Sequence, residues 1–178
     1  LLGISIVSAA DESPIAIALH GGAGTIERGA MSEELEATYR AFLHDAVTSG
    51  SEQLREGRSG LDVVVTVIQM MEDSPLFNAG RGAVYTWNGA HELDASIMHG
   101  EKLDAGAVAG LSTVQSPIAL AQRVMEGSPH VMLAGPGAET FAQEQGFDPV
   151  SPEYFATERR REALEAYKAN EQAGLKPE

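Results

Sequence analysis

The apolar positions of this chain fall into stretches of helical and of extended period, and their alternation lays out the elements. From 32 to about 56, Leu35, Tyr39, Phe42, Leu43, Ala46, Gly50 and Leu54 recur at three- and four-residue spacings, the stripe of an amphipathic helix. Ser32 reads as its N-cap, with Glu33, Glu34 and Glu36 in the first turn where the helix dipole favours anions, and Gly57 ends it. Ser59-Gly-Leu-Asp62 has the form of a capping box, and residues 61–71 are apolar nearly all round, which predicts a second, more deeply buried helix. Residues 15–19 are apolar on both faces and predict a short strand buried in a layered sandwich. Asn88-Gly89 joins 83–87 to 90–98 as a hairpin, and a turn at His99-Gly100-Glu101-Lys102 leads into a strand over 103–111, so a three-stranded antiparallel meander is expected. The Ala and Gly side of that last strand predicts another layer packed very close. Ser116-Pro117 opens a helix to about 126, residues 130–134 make a short strand, Gly135-Pro136-Gly137 a turn, and 138–145 a helix. Ser151-Pro152 starts another helical region, and 157–172 is charged, with only Ala163, Leu164 and Tyr167 as a sparse apolar stripe.

Between the most apolar helix and the hairpin lies Met71-Glu-Asp-Ser-Pro-Leu-Phe-Asn-Ala-Gly-Arg-Gly82. Pro75 fixes its own φ and restricts Ser74 to extended geometry, while Gly80 and Gly82 permit positive φ, so this backbone can curl with carbonyls turned inward. Such a curl can offer oxygens to a hard cation and aim the Asn78 amide at a neighbour; an ordinary helix-to-strand connection fits the same spacing. Earlier, His20-Gly21-Gly22-Ala23-Gly24 follows the first apolar run, and glycines there let backbone N–H groups approach a ligand closely. It is not a phosphate loop, having neither Gly-Lys-Ser/Thr nor G-x-G-x-x-G.

Composition narrows the picture. With 178 residues, 43% of them hydrophobic, the chain can build one domain with a sizeable core. A formal charge of −14 with 12 scattered basic residues argues against a nucleic-acid groove or an anionic membrane surface. The run Arg159-Arg160-Arg161 reads as a solvated helix face. Zero cysteines exclude disulfides and a Cys nucleophile in this chain. Residues 1–10 resemble the end of an apolar signal region with a small-residue cleavage site, which leaves export to a periplasm and a cytoplasmic location both open. No apolar run reaches the length of a membrane span.

Chemistry is harder to find. His91, Glu92, Asp94 and His99 lie along an alternating strand with no H-E-x-x-H pair on a helix, which argues against zinc and favours a satisfied structural histidine at His91. His-Gly-Gly occurs in some hydrolase oxyanion loops, but their G-x-S-x-G elbow is absent from the chain, so no Ser-His-Asp arrangement can be argued. The chain shows a glycine-rich apron and a curled Asn loop, but no nucleophile.

Taken together, His20-Gly-Gly-Ala-Gly24, Pro75-Leu-Phe-Asn-Ala-Gly-Arg-Gly-Ala-Val84, His91-Glu-Leu-Asp-Ala95, Gly106-Ala-Val-Ala-Gly110 and Ser128-Pro-His130 resemble, in this order and spacing, the α subunit of plant-type L-asparaginase/isoaspartyl peptidase. The likeness covers roughly residues 14–165. It implies an α+β chain belonging to a four-layer αββα sandwich of the N-terminal-nucleophile hydrolases, completed by a separate β subunit. A precursor of that kind cleaves itself before a Thr. A Thr hydroxyl is a poor nucleophile at its free pKa, and the freed α-amine, with a pKa near 8, can serve as its base with no histidine at all.

The resemblance implies hydrolysis of L-asparagine and β-aspartyl (isoaspartyl) dipeptides by an (αβ)2 heterotetramer whose nucleophile lies on the β chain. It further implies that Asn78 orients that Thr, and that Gly21, Gly22 and Gly24 form the glycine loop beside it. Met71, Glu72, Ser74, Phe77, Ala79 and Arg81 would hold a structural sodium ion through main-chain oxygens, with no organic cofactor. Residues 124–131 match a loop that binds activating potassium in some plant members, but Val131 replaces their small hydroxyl residue, which argues against potassium dependence. By this reading 1–13 is a signal remnant or extension, 14–173 the α part of the sandwich, and 174–178 the start of a linker toward the cleavage site. The Gly that precedes the Thr in the family is not reached by Glu178, so further linker residues or a trimmed tail are expected. Two other readings stand beside it: a glycosylasparaginase-like amidase, and a non-catalytic small-molecule-binding domain on the same fold.

Overall fold

Ser32 accepts the Leu35 N–H through its hydroxyl (3.2 Å) and starts helix α1 (Glu33–Arg55) in the computed structural model, which describes residues 15–22 and 31–174. The expected stripe from Leu35 to Leu54 is buried or half-buried throughout, with Ala46 and Gly50 the deepest. Gly57 (φ 85°) follows the C-cap. Helix α2 (Gly60–Glu72) starts from the expected capping box: Ser59 Oγ accepts the Asp62 N–H (3.1 Å) and donates to Asp62 Oδ2 (2.7 Å). Its apolar residues point all round because it has neighbours on two sides. Val63 and Val67 pack on Ala46 of α1, whereas Val65 joins the main core. At the helix crossing, a Cβ on Gly50 would lie 2.5 Å from Ile17 Cδ1 and 3.0 Å from Val67 Cγ2.

The main core is built on a sheet of β1 (Leu93–His99), β2 (Asp104–Leu111) and β3 (Met132–Ala134). Helix α3 (Pro117–Gly127) opens on the Ser116 cap with Pro117 at its start and covers one face of the sheet. The close approach expected from the small residues is real: a Cβ on Gly106 would sit 2.1 Å from the Ala121 carbonyl oxygen. Ile118, Leu120 and Val124 of α3, Val108 and Leu111 of β2, and Phe155 fill the space between layers.

Four expectations need correction. Residues 15–19 are not a buried strand. They run unpaired and partly exposed, with Ile17 and Leu19 packed on the α1–α2 cluster, because no strand among the described residues bonds to their backbone. Residues 83–87 do not form the first hairpin arm. The Asn88-Gly89 turn exists, with the Thr86 N–H on the Ala90 carbonyl (2.7 Å), but Val84 gives its N–H to a side chain and its carbonyl to a ring nitrogen. Side chains have taken the groups a ladder would use. The sheet is also not an antiparallel meander: β1 and β2 pair antiparallel, but the third strand is β3, which joins β2 in parallel after the α3 crossover. Finally, Gly135-Pro136-Gly137 begins helix α4 (Gly135–Glu144) rather than a separate turn.

A 3-10 turn (Pro152–Phe155) and helix α5 (Glu158–Gln172), capped by Thr157, complete the described chain. No described helix is long and apolar enough to cross a membrane.

Glu139 of α4 ties that helix to the end of β2. Its carboxylate accepts from Ser112 N–H (2.6 Å) and Oγ (3.0 Å), and from Thr113 N–H (3.0 Å) and Oγ1 (2.6 Å). Burial alone would raise this carboxyl, but the hydrogen bonds, led by Thr113, hold it below the ordinary 4.5. A depressed carboxyl contributes stability above its unfolded value and loses it as pH falls through the folded value. Glu139→Gln should therefore cost about 1–3 kcal/mol at neutral pH. In urea titrations the gap to the unsubstituted protein should close as pH falls below 4.5. A gap unchanged down to pH about 3 would contradict this assignment of the carboxylate.

Candidate active site

The loop after α2 closes into a ring through its own backbone. Asp73 N–H returns to the Gln69 carbonyl (2.9 Å), Ser74 N–H to Met71 (3.2 Å), and Arg81 N–H to the Glu72 carbonyl (2.6 Å). Gly80 lies at the tightest point, with φ 46°, and a Cβ there would stand 2.3 Å from the Glu72 carbonyl oxygen. Gly82 is nearly as confined, since its Cβ would lie 2.5 Å from the Phe77 carbonyl oxygen. Only glycine fits either position without moving main chain.

Phe77 anchors the ring to α1. It is buried and meets Tyr39 edge-on (5.7 Å between centroids) and Phe42 at 5.0 Å. Tyr39 also donates its hydroxyl to the Leu76 carbonyl (2.6 Å). Asn78, next in the chain, is exposed, and its Oδ1 accepts the Val84 N–H at 2.8 Å. The acceptor end of this amide is thus fixed, and its Nδ2 has no partner among the described residues. Gly21 lies beside the same anchor: a Cβ there would be 3.4 Å from Leu43 Cδ1 and 3.7 Å from Phe77 Cε1. Gly22 adopts φ 113° and donates its N–H to His20 Nδ1 (3.2 Å). The structure therefore brings Gly21 to the Phe77 anchor of the Asn78 loop, while a Cβ on Gly22 would meet nothing within 4 Å. Gly24 lies outside the described residues, as do 1–14 and 175–178.

The six residues expected to offer main-chain oxygens all lie on this ring. Of the six, the Met71 and Glu72 carbonyls already accept the Ser74 and Arg81 N–H groups, while among the described residues no hydrogen bond reaches the carbonyls of Ser74, Phe77, Ala79 or Arg81; those of Pro75, Leu76, Gly80 and Gly82 each accept one or more. The carboxylates at the ring's start turn elsewhere. Glu72 accepts Ser116 Oγ–H (2.7 Å) and Ile118 N–H (2.9 Å), capping α3, and Asp73 accepts the Tyr154 hydroxyl (3.0 Å). Burial pushes the Glu72 carboxyl up to about 7, against the Ser116 and Ile118 bonds that favour its charged form. The ring itself presents neutral carbonyls, a donor set suited to a monovalent hard cation.

Sequence reasoning missed how the ring is held from outside. Arg159 donates to the Leu76 carbonyl (3.2 Å) and to the Tyr39 hydroxyl (3.2 Å), and Arg160 Nε donates to the Gly82 carbonyl (2.7 Å). The Arg159–Arg161 run is not simply a solvated face; two of its members clamp the loop. The partners are 78 or more residues apart, and no local pattern signals them. The Glu72 side chain was likewise overlooked, though a Glu ending an apolar helix is a visible oddity.

Three histidine rings make hydrogen bonds among the described residues, and each bonds only to main chain: His20 to Gly22, His91 to Val84 and His99 to Lys102. None activates a hydroxyl. Asp94 is similarly occupied, accepting the Gly110 N–H at 2.8 Å.

Comparison with known proteins places the chain in a family. The asparaginase family profile matches residues 13–177. Over 153 residues the chain is 53% identical to the isoaspartyl peptidase of Salmonella typhimurium, covering 86% of this chain and 49% of that protein. It is 51% identical over 148 residues to the isoaspartyl peptidase of Escherichia coli, covering 83% and 46%. It is 46% identical over 151 residues to the plant-type L-asparaginase of Pyrococcus furiosus, covering 85% and 47%. The chain spans about half the length of the curated relatives it matches. With a profile match across nearly all of its residues and this level of identity, the chain belongs to the asparaginase family.

Proposed function

We propose that this chain is the α part of a self-cleaving N-terminal-threonine amidohydrolase that hydrolyses L-asparagine and β-aspartyl dipeptides. The observation that carries the reading is the Asn78 loop. It is locked from both sides, has Gly21 beside its Phe77 anchor, and presents an amide with one committed end, while no described histidine ring bonds a hydroxyl. In this reading the amide's Nδ2 holds the hydroxyl of a Thr that heads the partner β chain. That Thr's own α-amine takes the proton as the oxygen attacks the substrate amide carbon and gives it to the leaving amine; water, deprotonated by the same amine, then cleaves the resulting ester to the free acid and restores the Thr hydroxyl. Gly21, Gly22 and Gly24 line the approach to the Thr.

The same reading assigns residues 14–173 to one part of an αββα sandwich and 174–178 to the linker toward the cleavage site. The sheet supports it. α3 covers the face of Ile97 and Gly106, whereas the opposite face, with Ser96 and Met98 of β1, Ala105 and Ala107 of β2 and Met132 of β3, lies open, Met98 being 62% exposed. A second sheet from the β chain would cover it, and two such αβ pairs would form the heterotetramer. Sodium bound through the main-chain oxygens of Met71, Glu72, Ser74, Phe77, Ala79 and Arg81 would neutralise facing carbonyl dipoles and stiffen the loop that aims Asn78.

The test compares residues 1–178 alone with the full-length gene product, using L-asparagine and a β-aspartyl dipeptide as substrates. The full-length product should hydrolyse both and the isolated chain neither. Activity from the isolated chain, or none from the cleaved full-length product, would sink the proposal.

A further inference from the structure

His91 stands just before β1 with its side chain buried, stacked on Tyr85 (4.1 Å between centroids) and edge-on to Phe155 (6.2 Å). Its Nδ1 is 3.3 Å from the Val84 carbonyl oxygen. A carbonyl only accepts, so Nδ1 carries the proton and donates. Nε2 is buried with no partner among the described residues, leaving a bare lone pair in an aromatic pocket. Burial holds the ring's pKa below the ordinary 6.5, against the Val84 bond that raises it, and so favours the neutral imidazole.

A phenylalanine would fill this pocket without burying an unpaired nitrogen. What the imidazole adds is the bond to Val84, and Val84 is the residue whose N–H fixes Asn78 Oδ1. Val84 is therefore gripped at both of its backbone groups, by Asn78 on one side and His91 on the other. We propose that His91 is a positioning residue for Asn78: through Val84 it sets the orientation of the Asn78 amide toward the reacting Thr. This rests on the role given to Asn78 above.

The experiment uses the full-length protein and reads kcat and KM for a β-aspartyl dipeptide in His91→Phe, His91→Asn, His91→Gln, Asn78→Ala and the double variant Asn78→Ala/His91→Phe. Asparagine places an amide nitrogen near the position of Nδ1, and glutamine near that of Nε2. His91→Phe should lower kcat about tenfold with KM little changed, and His91→Asn should recover most of that loss while His91→Gln does not. In the Asn78→Ala background, His91→Phe should cost nothing further, because the group it acts through is gone. Additive losses in the double variant, or equal kcat for His91→Asn and His91→Gln, would overturn the assignment of His91 while leaving that of Asn78 intact. Unchanged turnover in Asn78→Ala would overturn both. Where His91→Phe fails to fold, the asparagine and glutamine variants decide the matter.

Discussion

Replacing Asn78 with alanine in the full-length protein should lower kcat about 100-fold or more, with a loss of stability of about 1 kcal/mol. The two effects separate because the loop does not depend on this side chain for its shape. Arg81 N–H on Glu72, Gly82 N–H on Gly80, the Phe77 anchor and the Arg159 and Arg160 clamps all remain. The lost Asn78–Val84 bond is exposed to water, which replaces much of it. On the proposed reading the nucleophile, by contrast, would lose the donor that places it, and misplacement by about 1 Å is enough for a loss of this order. Asn78→Asp sharpens the test. It keeps an acceptor for Val84 and removes the Nδ2 donor, so its kcat should fall nearly as far as that of the alanine variant. Thermal unfolding and steady-state kinetics on the same samples check both halves, and aspartate turnover near that of the unsubstituted protein would show that the acceptor alone matters.

Gly80→Ala should be the most damaging single methyl group in the loop. The new Cβ would lie 2.3 Å from the Glu72 carbonyl oxygen and 2.8 Å from the Glu72 Cα, at a φ of 46° that an alanine resists. The end of α2 cannot retreat easily, because the Glu72 carboxylate is bonded to Ser116 and Ile118 and its carbonyl to Arg81. Overpacking of this kind costs about 1–3 kcal/mol, and the left-handed backbone about 1–2 more. The expected loss is therefore about 2–5 kcal/mol, together with most of the activity, since the same ring carries Asn78. Gly60→Ala is the control: nothing lies within 4 Å of its added Cβ, and it should be close to neutral. If the ring holds sodium, replacing a bulky organic cation by sodium at constant ionic strength should raise the melting temperature of the unsubstituted protein but not of Gly80→Ala. Equal melting temperatures for the two proteins, or a sodium response kept by the variant, would contradict this view of the loop.

Much of the helical frame was legible because its signals are local. The Ser32 and Ser59 caps, the stripe along α1 and the all-round apolar run of α2 each lie within a few turns, and the structure forms those helices within a residue or two of the expected ends. The glycines of the 71–82 loop were legible for the same reason: a curl that tight excludes Cβ atoms whatever surrounds it. What the sequence hid depends on distant or unusual partners. Residues 83–87 alternate like a strand, but Asn78 and His91, six and seven residues from Val84, take the backbone groups a strand needs. The 130–134 run reads as a strand, yet nothing in it says that β2 receives it in parallel. Arg159 and Arg160 look like solvated charge until their carbonyl partners on the loop are seen. The glycine loop was readable as a turn, while its place beside Phe77 follows only from the packing of α1.

The central claim is that this chain is one part of a precursor that cuts itself to free a threonine. Intact mass spectrometry of the full-length gene product, purified without added protease, tests it most directly. The account predicts two polypeptides, one containing residues 14–173 and the other beginning with Thr. A single uncleaved polypeptide would contradict it.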